Sequence, residues 1–138
     1  MQLTKFTDFG LRALMRMAAE PSRTFTTSEL ATAFKISHHH LTKIVRDLAR
    51  AGLVIAQRGA GGGVKLARSP QEIRIGDVVR LLERPIVECF RADGGLCTLT
   101  AGCRLKSRLA RAREAFMKEL DATTLAQCVY PGVIAAAG

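Results

Sequence analysis

The stretch from Thr26 to Gly52 limits most sharply what this chain can fold into. Thr26-Thr-Ser-Glu29 has the spacing of a capping box, in which the threonine hydroxyl and the glutamate carboxylate each satisfy a free backbone donor. It opens a short helix bearing Leu30, Ala31 and Phe34. Lys35-Ile36-Ser37 then turns the chain tightly, with Ser37 placed as the next N-cap. From His38 to Ala51 the apolar residues Leu41, Ile44, Val45 and Leu48 fall at i, i+3, i+4 and i+7, a narrow stripe that must bury one face. Gly52 ends the helix as its cap. Two helices joined by so short a turn, the second amphipathic, form the helix-turn-helix pattern.

The other face of that second helix shows His39, Thr42, Lys43, Arg46 and Arg50, all able to donate to phosphates or base edges. The run His38-His39-His40 invites a metal reading. Consecutive side chains on a helix diverge by roughly 100°, however, so three adjacent imidazoles cannot face one ion. His38 and His39 are therefore expected to face a groove, and His40 to be partly packed. Upstream, Phe6, Gly10/Leu11, Leu14 and Ala18 give a first helix within Met1 to Ala19, closed by Pro21. Downstream, Leu53–Gln57 and Val64–Leu66 read as paired strands around Arg58-Gly-Ala-Gly-Gly-Gly63. That is a β-hairpin wing with a glycine tip and Arg58 at its base. A phosphate-cradling loop would end in Gly-Lys-Ser/Thr and lead into a helix, and neither holds here. The residues expected at a DNA surface are Ser37, His38, His39, Thr42, Lys43, Arg46, Arg58 and Gly61.

Charge agrees with a polyanionic partner. Lys and Arg number 21 against 12 Asp and Glu, a net charge of +9, which favours nucleic acid first and an anionic membrane second. No run approaches the roughly 20 apolar residues of a membrane span, and no signal-peptide core is present at the N-terminus. A cytoplasmic protein is expected, with its thiols reduced. No catalytic base or substrate pocket is legible, so an enzyme is not expected.

Ser69-Pro-Gln-Glu72 suggests a further cap, followed by a helix from Ile75 to Leu82 that stops before Pro85. Then Cys89, Cys97 and Cys103 fall within fifteen residues, among Asp93, Gly94, Gly95 and Gly102. Their gaps of seven and five lack the short pair usual at structural zinc, and three cysteines without a nearby histidine leave zinc one ligand short. An iron–sulfur cluster is larger and accepts wider spacing. Three free thiols in a pliable loop remain the alternative. Cys128, in Leu125-Ala-Gln-Cys-Val, reads as a small core residue. Leu105, Leu109, Ala112, Phe116 and Leu120 define a last amphipathic helix through about Asp121, with Arg104, Lys106, Arg108, Arg111 and Arg113 crowding its first half. Such a stripe is expected to bury against the same helix of a second chain, which also suits a two-fold DNA site. Pro131 to Gly138 read as a loose tail.

Four stretches together resemble a known family: Met1-Gln-Leu-Thr-Lys-Phe-Thr-Asp-Phe-Gly-Leu-Arg-Ala-Leu14, Arg58-Gly-Ala-Gly-Gly-Gly63, Ile75-Gly-Asp-Val-Val79 and Cys97-x5-Cys103-Arg-Leu-Lys106. Over nearly its whole length the chain resembles the Rrf2-type winged-helix transcriptional regulators, most nearly their nitric-oxide-sensing repressors. The resemblance implies a cytoplasmic homodimer binding double-stranded operator DNA, mainly α with a small β-hairpin wing. It divides the chain into a winged helix-turn-helix over 1–84, a cluster-binding loop over 85–103, and a dimerisation helix with tail over 104–138. It further implies one iron–sulfur cluster per subunit (4Fe-4S ahead of 2Fe-2S) on Cys89, Cys97 and Cys103, with Asp8 reaching from the partner chain. Nitric oxide would be the effector, releasing the operator by nitrosylating the cluster. By itself, Asp8 is an ordinary acidic residue in the first turn of a helix, favoured by the macrodipole. Relatives that sense iron or cluster status are the alternative; some carry a histidine where Lys106 stands here. A cluster-free thiol or zinc switch and an iron–sulfur electron carrier are the more distant readings.

Overall fold

The computed structural model describes residues 3–83 and 103–129. Its elements, in order, are α1 (Lys5–Ala19), α2 (Thr27–Phe34), α3 (His38–Arg50), β1 (Val54–Gln57), β2 (Gly63–Leu66), α4 (Ile75–Leu82) and α5 (Arg104–Ala122), then a 3₁₀ turn (Leu125–Cys128). This is the mainly helical, winged arrangement that the sequence pattern predicts.

Each of the first three helices starts at a polar side chain that satisfies an otherwise free backbone donor. Thr4 caps α1, accepting from the Thr7 N–H at 3.3 Å, and its own N–H donates to the Glu83 carboxylate at 2.9 Å. The beginning of α1 is thereby tied to the end of α4. The capping box of α2 is complete: Thr26 N–H donates to Glu29 Oε2 at 2.7 Å, and Glu29 N–H to Thr26 Oγ1 at 3.1 Å. Lys35 closes α2 in the left-handed region (φ 54°), and the Ile36 N–H reaches back to the Ala31 carbonyl at 3.0 Å. Ser37 then caps α3 through the His40 N–H. Leu41, Ile44, Val45 and Leu48 are buried, as their spacing requires. Gly52 takes φ 69° one residue beyond the half-helical Ala51, the position where glycine stops a helix without strain.

The hairpin is antiparallel, pairing Val54 with Leu66, Ile55 with Lys65, Ala56 with Val64 and Gln57 with Gly63. The free edge of β2 is met by Phe25, whose N–H and C=O exchange hydrogen bonds with Val64 at 2.8 and 2.7 Å. Gly63 lies so close to the Phe25 carbonyl that a Cβ there would collide with it. One core joins all of this, from Leu14 and Met17 through Leu30, Leu41, Ile44 and Leu48 to Val64, Ile73 and Val78.

Two local expectations change. Ser69-Pro-Gln-Glu72 closes a turn of its own, with Ser69 N–H donating to Glu72 at 3.1 Å. Helix α4 itself runs from Ile75 to Leu82 as expected, but its N-cap is Arg74 and it has no side-chain cap. The apolar stripe of α5, expected to lack a partner in its own chain, has one at its end. Met117 and Leu120 pack against the core, and Leu125 beyond them is fully buried. No residue of α5 itself is buried, and Leu105 is 61% exposed.

Candidate nucleic-acid interface

The outward face of α3 and the hairpin carry the residues expected at DNA. Ser37, His38, His39, Thr42, Lys43 and Arg46 are all exposed. Their chemistry is less uniform than their composition suggests. The Ser37 hydroxyl oxygen accepts the His40 N–H at 3.1 Å, so it holds the helix start in place. Thr42 donates its hydroxyl proton to the His38 carbonyl at 2.8 Å and offers outward only lone pairs and a methyl group. Arg46 directs Nε to Asp47 at 3.2 Å, leaving its terminal nitrogens to reach outward. Lys43 has no hydrogen bond or ion pair among the described residues, and neither has the exposed Arg50 on the same face. His40 is half-buried as predicted, stacked on Phe6 at 5.6 Å and edge-on to Phe9 at 5.9 Å. It fastens the first turn of α3 to α1.

In the hairpin loop, Gly59 and Gly61 take φ values of 97° and 74°, which side chains rarely adopt. The Gly62 N–H closes the turn onto the Gly59 carbonyl at 3.0 Å. Arg58 and Gly61 are exposed, so the wing presents one long cation beside bare backbone.

Sequence reasoning missed what anchors this wing. Phe25, which pairs with β2, is buried under the guanidinium groups of Arg16 and Arg23, 4.7 and 4.6 Å from its ring centroid. Arg16 pairs with Glu20 at 2.7 Å, and Arg23 pairs with Glu29 at 2.7 Å as well as with Glu20. The hydrogen bond from Arg16 holds the Glu20 carboxyl below its ordinary range. For Glu29 the Thr26 backbone N–H does so first, with Arg23 adding to it. A bridge between one loop residue and a strand has no periodicity, so no local pattern could announce it.

The sulfurs divide in two. Cys103 is half-buried at the N-cap of α5, where the positive end of the helix suits an anionic ligand. Cys128 is half-buried in the 3₁₀ turn against the core, and burial pushes its thiol up. Cys89 and Cys97 lie outside the described residues. Asp8 is half-exposed, with both carboxylate oxygens 3.0 Å from Arg12 Nε. Among the described residues, no three of His, Cys, Asp and Glu converge as a metal site.

The profile of the Rrf2 family, described as iron-dependent transcriptional regulator, matches residues 3–131. The chain belongs to the Rrf2 family. CymR of B. subtilis, named as its global cysteine regulator, is 30% identical with a TM-score of 0.74, covering 93% of this chain and 95% of that one. The oxidized form of CymR from Staphylococcus aureus is 28% identical with a TM-score of 0.73 over the same shares. IscR from T. potens is 26% identical with a TM-score of 0.74, covering 93% of this chain and 85% of that one. This Rrf2 chain is thus a winged-helix, DNA-binding transcriptional regulator and not an enzyme. Among the described residues, no helix is long and apolar enough to cross a membrane.

Proposed function

We propose that this Rrf2 regulator is a homodimeric repressor whose hold on its operator depends on an iron–sulfur cluster that responds to nitric oxide. The observation that carries the proposal is Cys103 at the start of α5. It stands where the winged unit, the cysteine-bearing segment and the long helix adjoin in sequence, and at a helix end suited to an anionic group. With Cys89 and Cys97 it would hold the cluster, with Asp8 of the second chain completing the set. Segment 85–103 would then be the cluster loop, and 104–138 the dimerisation helix and tail. A bound cluster supplies a centre with which nitric oxide reacts.

The rest falls to the chain's own side chains. Asp8 fits a ligand role because it is accessible and ionisable, but it must first give up Arg12. Cys128 does not fit, since burial disfavours its thiolate. At the DNA, Lys43 and the outer nitrogens of Arg46 would contact phosphates or base edges from α3. Arg58 would enter a minor groove narrowed by A·T pairs. His39 and Thr42 would read base edges, with Ser37 and His38 at the groove wall and Gly61 letting backbone approach the phosphates.

Single cysteine variants test the proposal. Cys103→Ala should remove the visible chromophore and uncouple DNA binding from nitric oxide, while Cys128→Ala keeps both. The reverse pattern would overturn the ligand set. A second reading, sensing of iron supply by the same fold, draws on the family description as iron-dependent. It predicts that chelating iron releases the operator, whereas nitric oxide at cluster-equivalent amounts does not.

A further inference from the structure

We propose that Gly76, Arg80 and Asp121 form the joint that sets the distance between the two recognition helices, and so the half-site spacing this regulator accepts. The inference rests on the dimer reading above. It starts from how α5 meets the winged unit. Along the helix no residue is buried, and the residues from Arg104 to Leu109 are exposed or half-exposed. Among the described residues, its packing against the core is made by Met117 and Leu120, near its end.

At that end Asp121 sits directly over Gly76, where a Cβ would occupy the space of the Asp121 carboxylate. Arg80, one turn further along α4, grips the same carboxylate with both terminal nitrogens. Nη1 donates to Oδ1 at 2.7 Å and Nη2 to Oδ2 at 2.5 Å, and Asp77 adds a weaker hold at 3.3 Å. Just beyond, Ile75 N–H donates to the Thr123 carbonyl at 3.0 Å, and Leu125 N–H to the Ile73 carbonyl at 2.8 Å. The segment just after α5 is thereby stapled to the segment that starts α4, with Leu125 plugged into the core.

An exposed ion pair adds little to stability. A two-pronged guanidinium–carboxylate pair is directional, however, and fixes an angle where a single contact would not. Angle matters here because the lever is long. The 19 residues of α5 rise about 1.5 Å each, near 28 Å in all. A tilt of roughly 7° at the joint would therefore move the far end by about 3.4 Å, the rise of one base pair. If α5 helices pair across the dimer, the separation of the two α3 helices follows from this angle. Arg80 and Asp121 are positioning residues in this proposal, since neither lies on the DNA face.

The test compares operators whose half-sites are moved one base pair closer or further apart, using the full-length protein. Wild type should prefer one spacing by about tenfold, a coupling of the size seen between contacting groups. Arg80→Lys, which keeps the charge but loses the fork, and Gly76→Ala, which displaces Asp121, should narrow the preference to about twofold while the protein still sediments as a dimer. Exchanging the charges, Arg80→Asp with Asp121→Arg, should restore part of it. If Gly76→Ala fails to fold, Arg80→Lys and Asp121→Asn decide the matter. Variants that lose thermal stability yet keep the tenfold preference would reduce the joint to a structural contact and overturn the proposal. Wild type that sediments as a monomer, or is indifferent to spacing, would overturn the dimer reading and this inference with it. That failure is read on wild type alone.

Discussion

Residues 3–83 and helix α5 follow the same helical periodicity, yet they differ in what their apolar stripes meet. In the winged unit, Leu14, Leu41, Ile44, Leu48 and Val78 are fully buried against one another. Helix α5 is the longest of the described helices, and it buries none of its residues. The caps differ in the same sense. Helices α1, α2 and α3 start on Thr4, Thr26 and Ser37 hydroxyls, whereas α5 starts on Cys103 with no side-chain cap. Most helical stability comes from packing an amphipathic face, and among the described residues α5 packs on the core only through Met117 and Leu120. The winged unit packs on itself, and assembly through α5 is the part that remains a proposal.

The largest expected effect lies in the core. Leu48→Ala should cost about 2–5 kcal/mol in urea unfolding at every protein concentration, because it opens a cavity. Leu105→Ala should cost less than about 0.5 kcal/mol at high dilution, as a surface change does, and lower stability only where chains associate. A Leu105 variant equally damaged at high dilution would erase the distinction between the regions. Next comes Leu109→Glu, which should leave a folded monomer by sedimentation with weakened operator binding. If it remains dimeric, the interface lies elsewhere. Removing the box that starts α2, by Thr26→Ala, should cost about 1 kcal/mol in thermal or urea unfolding. No loss would mean that packing alone sets that helix start.

The smallest effect is a pH dependence confined to the carboxylates around Phe25 and the α5 joint. Glu20, Glu29 and Asp121 are all held below their ordinary ranges, by Arg16, by the Thr26 backbone and by Arg80 respectively. Groups depressed in the folded state stabilise it above their unfolded pKa and lose that contribution as pH falls through the folded value. The thermal midpoint should thus decline as pH drops below about 4.3. In Glu29→Gln the decline should be shallower. An unchanged slope in that variant would exclude Glu29 from it.

The parts legible in the sequence are those coded by near neighbours. Thr26 and Glu29, the four-residue stripe of α3, and the glycines after Arg58 each act within a few positions, so spacing reveals them. What escaped was contact across the chain. Arg80 and Asp121 stand 41 positions apart, and Gly76 looks like any glycine in an apolar helix until its neighbour is known. Leu125 lies in a short turn too brief to show a period, yet it is fully buried. Ser69 and Glu72 misled because the same residue pair closes an isolated turn as readily as it starts a helix. Within the site, Lys43, Arg58 and the half-packed His40 were readable from position alone. The back-bonding of Thr42 and the hold of Arg12 on Asp8 were not, since both depend on rotamers. Cys89 and Cys97 lie outside the described residues, so their place in the ligand set rests on spacing and resemblance.

The most direct measurement is a titration of anaerobically purified protein with nitric oxide, recording visible absorption and operator binding in the same samples. The expected result is that the cluster absorption and the operator complex are lost together, with Cys103→Ala showing neither the absorption nor the response. Operator binding that stays constant while the absorption disappears would contradict cluster-gated repression.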